Sequence, residues 1–328
     1  MLNVRREKLM KYRRVGRSGL MVSSFTLGGW SSKEALGQLD EGGLSLLLSE
    51  AFERGINGID LADIYEQGDV EVLFGRVLRE YPRHQLVLSS KCYWPMSQGI
   101  NDRGLSRKHL FESVEGSLRR LQTDYLDIFI CHHFDQDTPL DETIRALGDL
   151  MRLGKILYWG VCGWKPEQLE QTLKLCHDLG VAPPIIHHLL YHPLERGIEH
   201  EVMEKSAELG LGIGGWGSLA GGLFAGESKD FKMSSRESWY GPWQANLNTG
   251  AQGHSRSGDT LSQRWVELAH EAGLTPAQLA LAWSLRRREV STLILSVSST
   301  DHLRENVGLF DRPFDLDLLD RIDQLFPL

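Results

Sequence analysis

The sequence predicts a closed (β/α)8 barrel of the TIM type, with an N-terminal β-hairpin and a long loop after its seventh strand. Three observations point to it. Short apolar runs alternate about eight times with amphipathic helical patterns along the 328 residues. No break in composition divides the chain, so a single domain over 1–328 is expected. The competing open, doubly wound sheet wants G-x-G-x-x-G after its first strand, and residues 20–30 read LMVSSFTLGGW instead.

Eight strands are expected at 24–27, 56–60, 86–91, 126–132, 157–162, 185–190, 211–216 and 292–297. Runs such as LVLS, DIFIC and TLILSV are continuously apolar, as parallel strands buried on both faces require. Helical spacing of apolar residues falls between them. The segment 43–54 carries Leu44, Leu47, Leu48, Ala51 and Phe52 and stops at Gly55, a suitable C-cap. The segment 106–121 opens on Ser106 as N-cap and runs through Leu110, Val114 and Leu118. A helix over 138–153 ends at Gly154, and one over 166–179 has Pro in its first turn and Gly180 behind it. The remaining two are 199–209, ending at Gly210, and 275–287, opening with Thr-Pro. Arg286, Arg287 and Arg288 close that last helix, where cations suit the macrodipole. From Leu219 to about Asp259 the chain is irregular and polar but holds Trp239, Tyr240 and Trp243, which favours a binding loop over disorder.

Composition narrows the class. A hydrophobic fraction of 41% and a charged fraction of 24% are those of an ordinary soluble protein. The net charge of −8, with no basic stripe, argues against nucleic acid. No apolar run reaches the ~18 residues of a membrane span, and the basic start lacks an apolar region behind it, so a cytoplasmic protein is expected. Cys92, Cys131, Cys162 and Cys176 show neither CxxC spacing nor disulfide density.

In this fold the residues at the C-terminal ends of strands carry the chemistry. Strand two ends at Asp60, with Tyr65 five positions later; strand three ends at Lys91, and strand four at His132 and His133. A phenol has an ordinary pKa near 10. A neighbouring ammonium favours its ionisation, and a carboxylate keeps that ammonium charged. An imidazole can polarise a carbonyl oxygen. Such a set suits proton delivery to an aldehyde or ketone. His187, His188 and His192 invite a metal, but no ligand follows strand one, and no metal site is expected.

Long stretches of the chain resemble the aldo-keto reductases. They are KYRRVGRSGLMVSSFTLGGW, GINGIDLADIYEQGDVEVLFG, LVLSSK, GLSRKHLFESVEGSLRRLQTDYLDIFICHHFDQDTPLDET, LGKILYWGV, GGWGSLAGGLFAG, LTPAQLALAWSLR and HLRENVG. The branch most similar in appearance holds the β subunits of voltage-gated potassium channels and their bacterial relatives. The resemblance implies Tyr65 as proton donor, Asp60 and Lys91 as the groups that tune it, and His132 as the group that orients the carbonyl. It also implies NADP(H), with NAD(H) as the alternative, bound without a Rossmann domain. Trp216 would stack on the nicotinamide, and Ser218, Leu219, Gly222 and Gly226 would wrap the pyrophosphate. Ser298, His302, Glu305 and Asn306 would meet the adenosine end. Trp30 and Trp94 would line the mouth.

Some positions depart from the family pattern. Cys162 and Gly163 stand where relatives carry Ser followed by Asn or Arg, and His188 stands for a Gln, all around the carboxamide. Glu227, Ser299 and His302 replace common cations near the phosphates. The reading is therefore a reductase of an aldehyde, ketone or keto-sugar. Its alternatives are a non-enzymatic nucleotide-sensing partner subunit, or a lyase, dehydratase or epimerase reusing the same four residues. The only partner expected is a small carbonyl substrate, with homo-oligomerisation open.

Overall fold

A computed structural model describes residues 10–29, 40–225, 258–297, 299–311 and 316–326. Eight parallel strands close into a barrel in the order β10-β3-β4-β5-β6-β7-β8-β9. They are β3 (Phe25–Gly28), β4 (Gly58–Asp60), β5 (Val87–Cys92), β6 (Leu126–Cys131), β7 (Ile156–Cys162), β8 (Ile186–Leu190), β9 (Gly212–Trp216) and β10 (Val290–Leu295). Each lies within two residues of its expected position at both ends. Every residue of β5 and β6 is buried, because both faces are covered.

Two strands precede the barrel, β1 (Tyr12–Arg14) and β2 (Met21–Ser23), paired antiparallel. This hairpin plugs one end. Val15 and Val22 are buried with Val87, Ile128, Ile130 and Ile186 in a small inner core. Above them the barrel axis holds a cavity of about 20 Å³, lined in part by Thr26, Asp60, Ser89, His188 and Thr292. Gly16 makes the plug fit. Its φ is +55°, and a Cβ there would lie 2.2 Å from the Gly210 carbonyl and 2.6 Å from the Gly212 nitrogen. Arg13 donates to the carbonyls of Leu285, Arg287 and Val290 at 2.8, 3.1 and 2.5 Å.

The larger core lies between barrel and helices. The helices are α1 (Glu41–Glu53), α2 (Asp69–Leu78), α3 (Arg107–Leu121), α4 (Leu140–Arg152), α5 (Pro166–Leu179), α6 (Val202–Glu208), α7 (Gly258–Glu271), α8 (Pro276–Leu285), α9 (Thr300–Val307) and α10 (Leu316–Leu325). The expected caps form: Ser106 Oγ accepts from the His109 N–H at 3.2 Å, and Gly180 closes α5 at φ +63°. The expected helix over 199–209 is shorter, because Gly197–Glu199 makes a 3-10 turn ahead of α6.

Arg286 does more than end a helix. Its guanidinium lies 3.7 Å over the Trp283 ring and donates to Glu199 at 2.7 Å and to the Tyr191 hydroxyl at 2.5 Å. Among the described residues no helix is long and apolar enough to cross a membrane. Of the irregular stretch expected over 219–259, Ala220–Ala225 forms a 3-10 turn and 258–259 open α7, while 226–257, with Trp239, Tyr240 and Trp243, lie outside the described residues.

Candidate active site

Asp60, Lys91 and His132 stand at the C-terminal rim of β4, β5 and β6, and the loop after β4 returns Tyr65 to them. Lys91 is 3% exposed and Asp60 likewise. The Lys91 ammonium has three N–H donors and three acceptors: Asp60 Oδ2 at 2.6 Å, the Leu61 carbonyl at 2.7 Å and Tyr65 Oη at 3.2 Å. The other carboxylate oxygen of Asp60 accepts from Ser89 Oγ at 2.7 Å. A buried lysine so saturated has a fixed direction.

Tyr65 begins a tight 3-10 turn, Tyr65–Gly68. The two residues after it, Glu66 and Gln67, hold φ of +48° and +56°, a conformation that non-glycine residues adopt at a cost of about 1–3 kcal/mol each. The turn directs the phenol inward and starts α2 behind it. The His132 ring stands edge-on to Tyr65, with centroids 6.2 Å apart at 78°, and 6.4 Å from Trp94.

Burial works against the charge on Lys91, but the Asp60 carboxylate, Tyr65 and the hydrogen bonds to both outweigh it and hold its pKa above the usual value. From sequence, Lys91 is expected to lower the pKa of Tyr65. The structure reverses the balance: burial raises the phenol above its ordinary value, with Asp60 adding to it, although Lys91 pulls the other way. Tyr65 therefore holds its proton firmly. Burial, then the charge of Lys91 and the neighbouring His188 and His133, push His132 well below the ordinary imidazole range, so it stays neutral and keeps one N–H to donate. Its Nδ1 is buried with no hydrogen-bond partner among the described residues.

The three histidines around strand β8 diverge. His187 Nε2 accepts from the Trp164 N–H at 3.0 Å, so its Nδ1–H donates to Ser206 Oγ at 2.9 Å; it braces α6. His188 faces the barrel axis with Asp60 and packs on Gly214, where a Cβ would fall 2.5 Å from its ring. His192 lies 6.1 Å from the Phe224 ring. Cys162 is the register partner of His188, and burial pushes its thiol up to about 12. Gly163 takes φ +65° and donates to the His188 carbonyl at 3.0 Å.

Trp216 ends β9 half-buried, and the chain beyond it runs through a series of left-handed residues: Gly217, Ala220, Gly221 and Gly222 at φ +70°, +47°, +66° and +98°. A Cβ at Gly221 or Gly222 would meet no atom of the described residues within 4 Å. Ser218 Oγ is buried with no partner among the described residues, and so is His188 Nδ1. Left-handed backbone beside a half-buried aromatic and unsatisfied polar atoms suits a phosphate-bearing aromatic cofactor. Leu219 is half-buried in the same turn. At the far end, Ser299 caps α9 by accepting from the His302 N–H at 3.2 Å; His302 and Glu305 are exposed and Asn306 is buried. Trp30, Gly226, Glu227 and Ser298 lie outside the described residues.

Residues 24–326 match the family model described as the aldo/keto reductase family. The chain belongs to the aldo/keto reductases. It is also 33% identical over 307 residues to a rice (Oryza sativa subsp. japonica) protein described as "Probable voltage-gated potassium channel subunit beta", covering 92% of each chain. Aldo/keto reductases carry out NAD(P)-dependent reduction of small carbonyl compounds, and membership supports an oxidoreductase.

Sequence reasoning names Asp60, Tyr65, Lys91 and His132, and the fold brings all four to one rim. It passes over Ser89 and the Leu61 carbonyl, which complete the lysine's shell. Ser89 was visible two residues before Lys91 on the same strand face, where a polar side chain in a buried run calls for a partner.

Proposed function

We propose that this protein is an NADP(H)-dependent reductase of an aldehyde, ketone or keto-sugar, with Tyr65 as proton donor. The observation that carries the reading is the Lys91 ammonium, which binds Asp60 and the Tyr65 hydroxyl at once inside a buried rim. Bound nicotinamide supplies the hydride. The chain's own residues do the rest. Trp216 and the turn through Ser218, Leu219 and Gly222 hold the cofactor, and His188 and Cys162 border its carboxamide. Neutral His132 donates its N–H to the substrate carbonyl oxygen and draws electron density from the carbon. Tyr65 holds a proton beside that oxygen and passes it on as the alkoxide forms. Lys91 then stabilises the phenolate left behind, and Asp60 keeps Lys91 charged and aimed.

NADPH and NADH titrations following tryptophan fluorescence, paired with NADPH oxidation over a panel of aldehydes and ketones, test this reading. Quenching with turnover that Tyr65→Phe abolishes is the expected result. Full activity in Tyr65→Phe would refute the proton-donor role. The description of the rice relative favours one second reading, a nucleotide-sensing partner subunit. That reading predicts quenching with negligible turnover of any carbonyl.

A further inference from the structure

We propose that Asp63, Cys92 and His109 form a binding site for a divalent metal of the zinc class, set between the barrel wall and α3. One potential ligand atom from each lies within 4.8 Å of those of the other two. All three residues are almost wholly buried, at 1%, 0% and 1% exposed. Asp63 Oδ1 and both ring nitrogens of His109 have no hydrogen-bond partner among the described residues. Asp102 Oδ1 is 3.6 Å from His109 Nδ1, beyond hydrogen-bond length. Buried polar atoms are almost always satisfied, so orphaned atoms on a carboxylate and an imidazole that both lie within reach of a buried thiol call for an explanation.

The backbone holds the three donors rigidly. Asp63 is tied to β5 by its N–H, which donates to the Lys91 carbonyl at 3.1 Å. Cys92 follows Lys91 on that strand, and alternation sends its side chain away from the reaction rim, toward α3. His109 is fixed in the first turn of α3, its N–H held by the Ser106 cap. Ser113, one turn further along, donates to Asp63 Oδ2 at 2.7 Å and orients the carboxylate.

A thiolate, an imidazole and a carboxylate form a donor set that zinc accepts and that calcium and magnesium, which take oxygen, do not. Bonds of about 2.0–2.3 Å place tetrahedral ligand atoms roughly 3.5 Å apart, so side-chain movement of about 1 Å closes the site. A dication with one thiolate, one carboxylate and a neutral imidazole is neutral overall, which burial demands. Binding releases the Cys92 thiol proton and, where Asp63 is protonated, its carboxyl proton. Without a metal, burial raises Asp63 to about 7, raises the Cys92 thiol and lowers His109, each shift favouring the uncharged form.

The test is a Co2+ titration of the full-length protein, kept reduced and stripped with a chelator, reading thiolate-to-cobalt charge-transfer absorption. One equivalent of Co2+ and a charge-transfer band are expected, with the band displaced by Zn2+, lost in Cys92→Ser and kept in Cys176→Ser. Affinity should fall at least about tenfold in His109→Gln and about tenfold in Ser113→Ala. No band in the wild-type protein, or a band that survives in Cys92→Ser, overturns the proposal. Should Cys92→Ser not fold, His109→Gln with a native circular dichroism spectrum decides, and unchanged affinity there overturns it equally.

Discussion

The Lys91 ammonium lies 2.6 Å from the Asp60 carboxylate, and neither side chain is more than 4% exposed. Removing one member leaves the other charge buried without a counter-ion, which costs about 3–5 kcal/mol. Asp60→Asn is expected to lose stability in that range in urea denaturation. The double variant Asp60→Asn with Lys91→Met should be more stable than Asp60→Asn alone. Additive losses would show that the pair is not coupled.

Tyr65→Phe removes one hydroxyl and keeps the ring against His132. We expect kcat to fall by about 10²–10⁴-fold, the usual contribution of a positioned acid. Nucleotide affinity should stay unchanged by fluorescence titration. A loss confined to KM would move Tyr65 from proton transfer to substrate binding.

Acid should destabilise the protein well above the carboxylate range. Burial depresses His187 to about 3 and His188 and His192 to about 4. These imidazoles stay neutral in the folded chain while unfolded ones take up protons below about 6.5. Their contribution is full above pH 6.5 and is lost as pH falls toward 4. Asp63, raised to about 7, has the opposite sign: its contribution is full below the unfolded carboxyl pKa and is lost as pH rises through 7. With His132, which burial depresses in the same direction, these imidazoles outweigh Asp63. Urea unfolding in metal-free buffer should show a net loss of at least about 3 kcal/mol between pH 7 and 5. His188→Gln should reduce that loss by about 2 kcal/mol, and a flat wild-type profile would contradict the neutral imidazoles.

Gly16→Ala should be costly for a residue of so small a change. A methyl group there meets backbone atoms of residues 185, 210 and 212 at 2.2–2.8 Å, none of which can rotate away. Overpacking and a left-handed alanine together are expected to cost about 3 kcal/mol or more. The measurement is the urea midpoint against wild type. Ala at Gly154, also left-handed but with open space around its Cβ, should cost about 1 kcal/mol.

The barrel was legible because parallel strands covered on both sides read as unbroken apolar runs, and its rim residues followed from topology. Helix α2 was not. Its Val70, Phe74, Val77 and Leu78 do form a buried stripe. Asp69, Glu71 and Gly75 interrupt the pattern, and Gly75 is there because α3 passes so close that a Cβ would sit 2.2 Å from the Arg120 carbonyl. Histidines 187 and 188 read as a cluster by number, yet neighbours on a strand point to opposite faces. His188 faces Asp60, and His187 faces α6. Asp63, Cys92 and His109 could not be grouped from sequence, since a loop, a strand and a helix bring them together only in the folded chain.

The ties of Arg13 to Leu285, Arg287 and Val290 join residues 272–277 positions apart. A ribosome adding about 5–20 residues per second delivers that partner roughly 14–55 s after the hairpin. Throughout that interval the nascent chain is an unclosed vessel. The edge of β3 stays open until β10 arrives, so a chaperone that shields apolar strand edges has its longest task at the first strand.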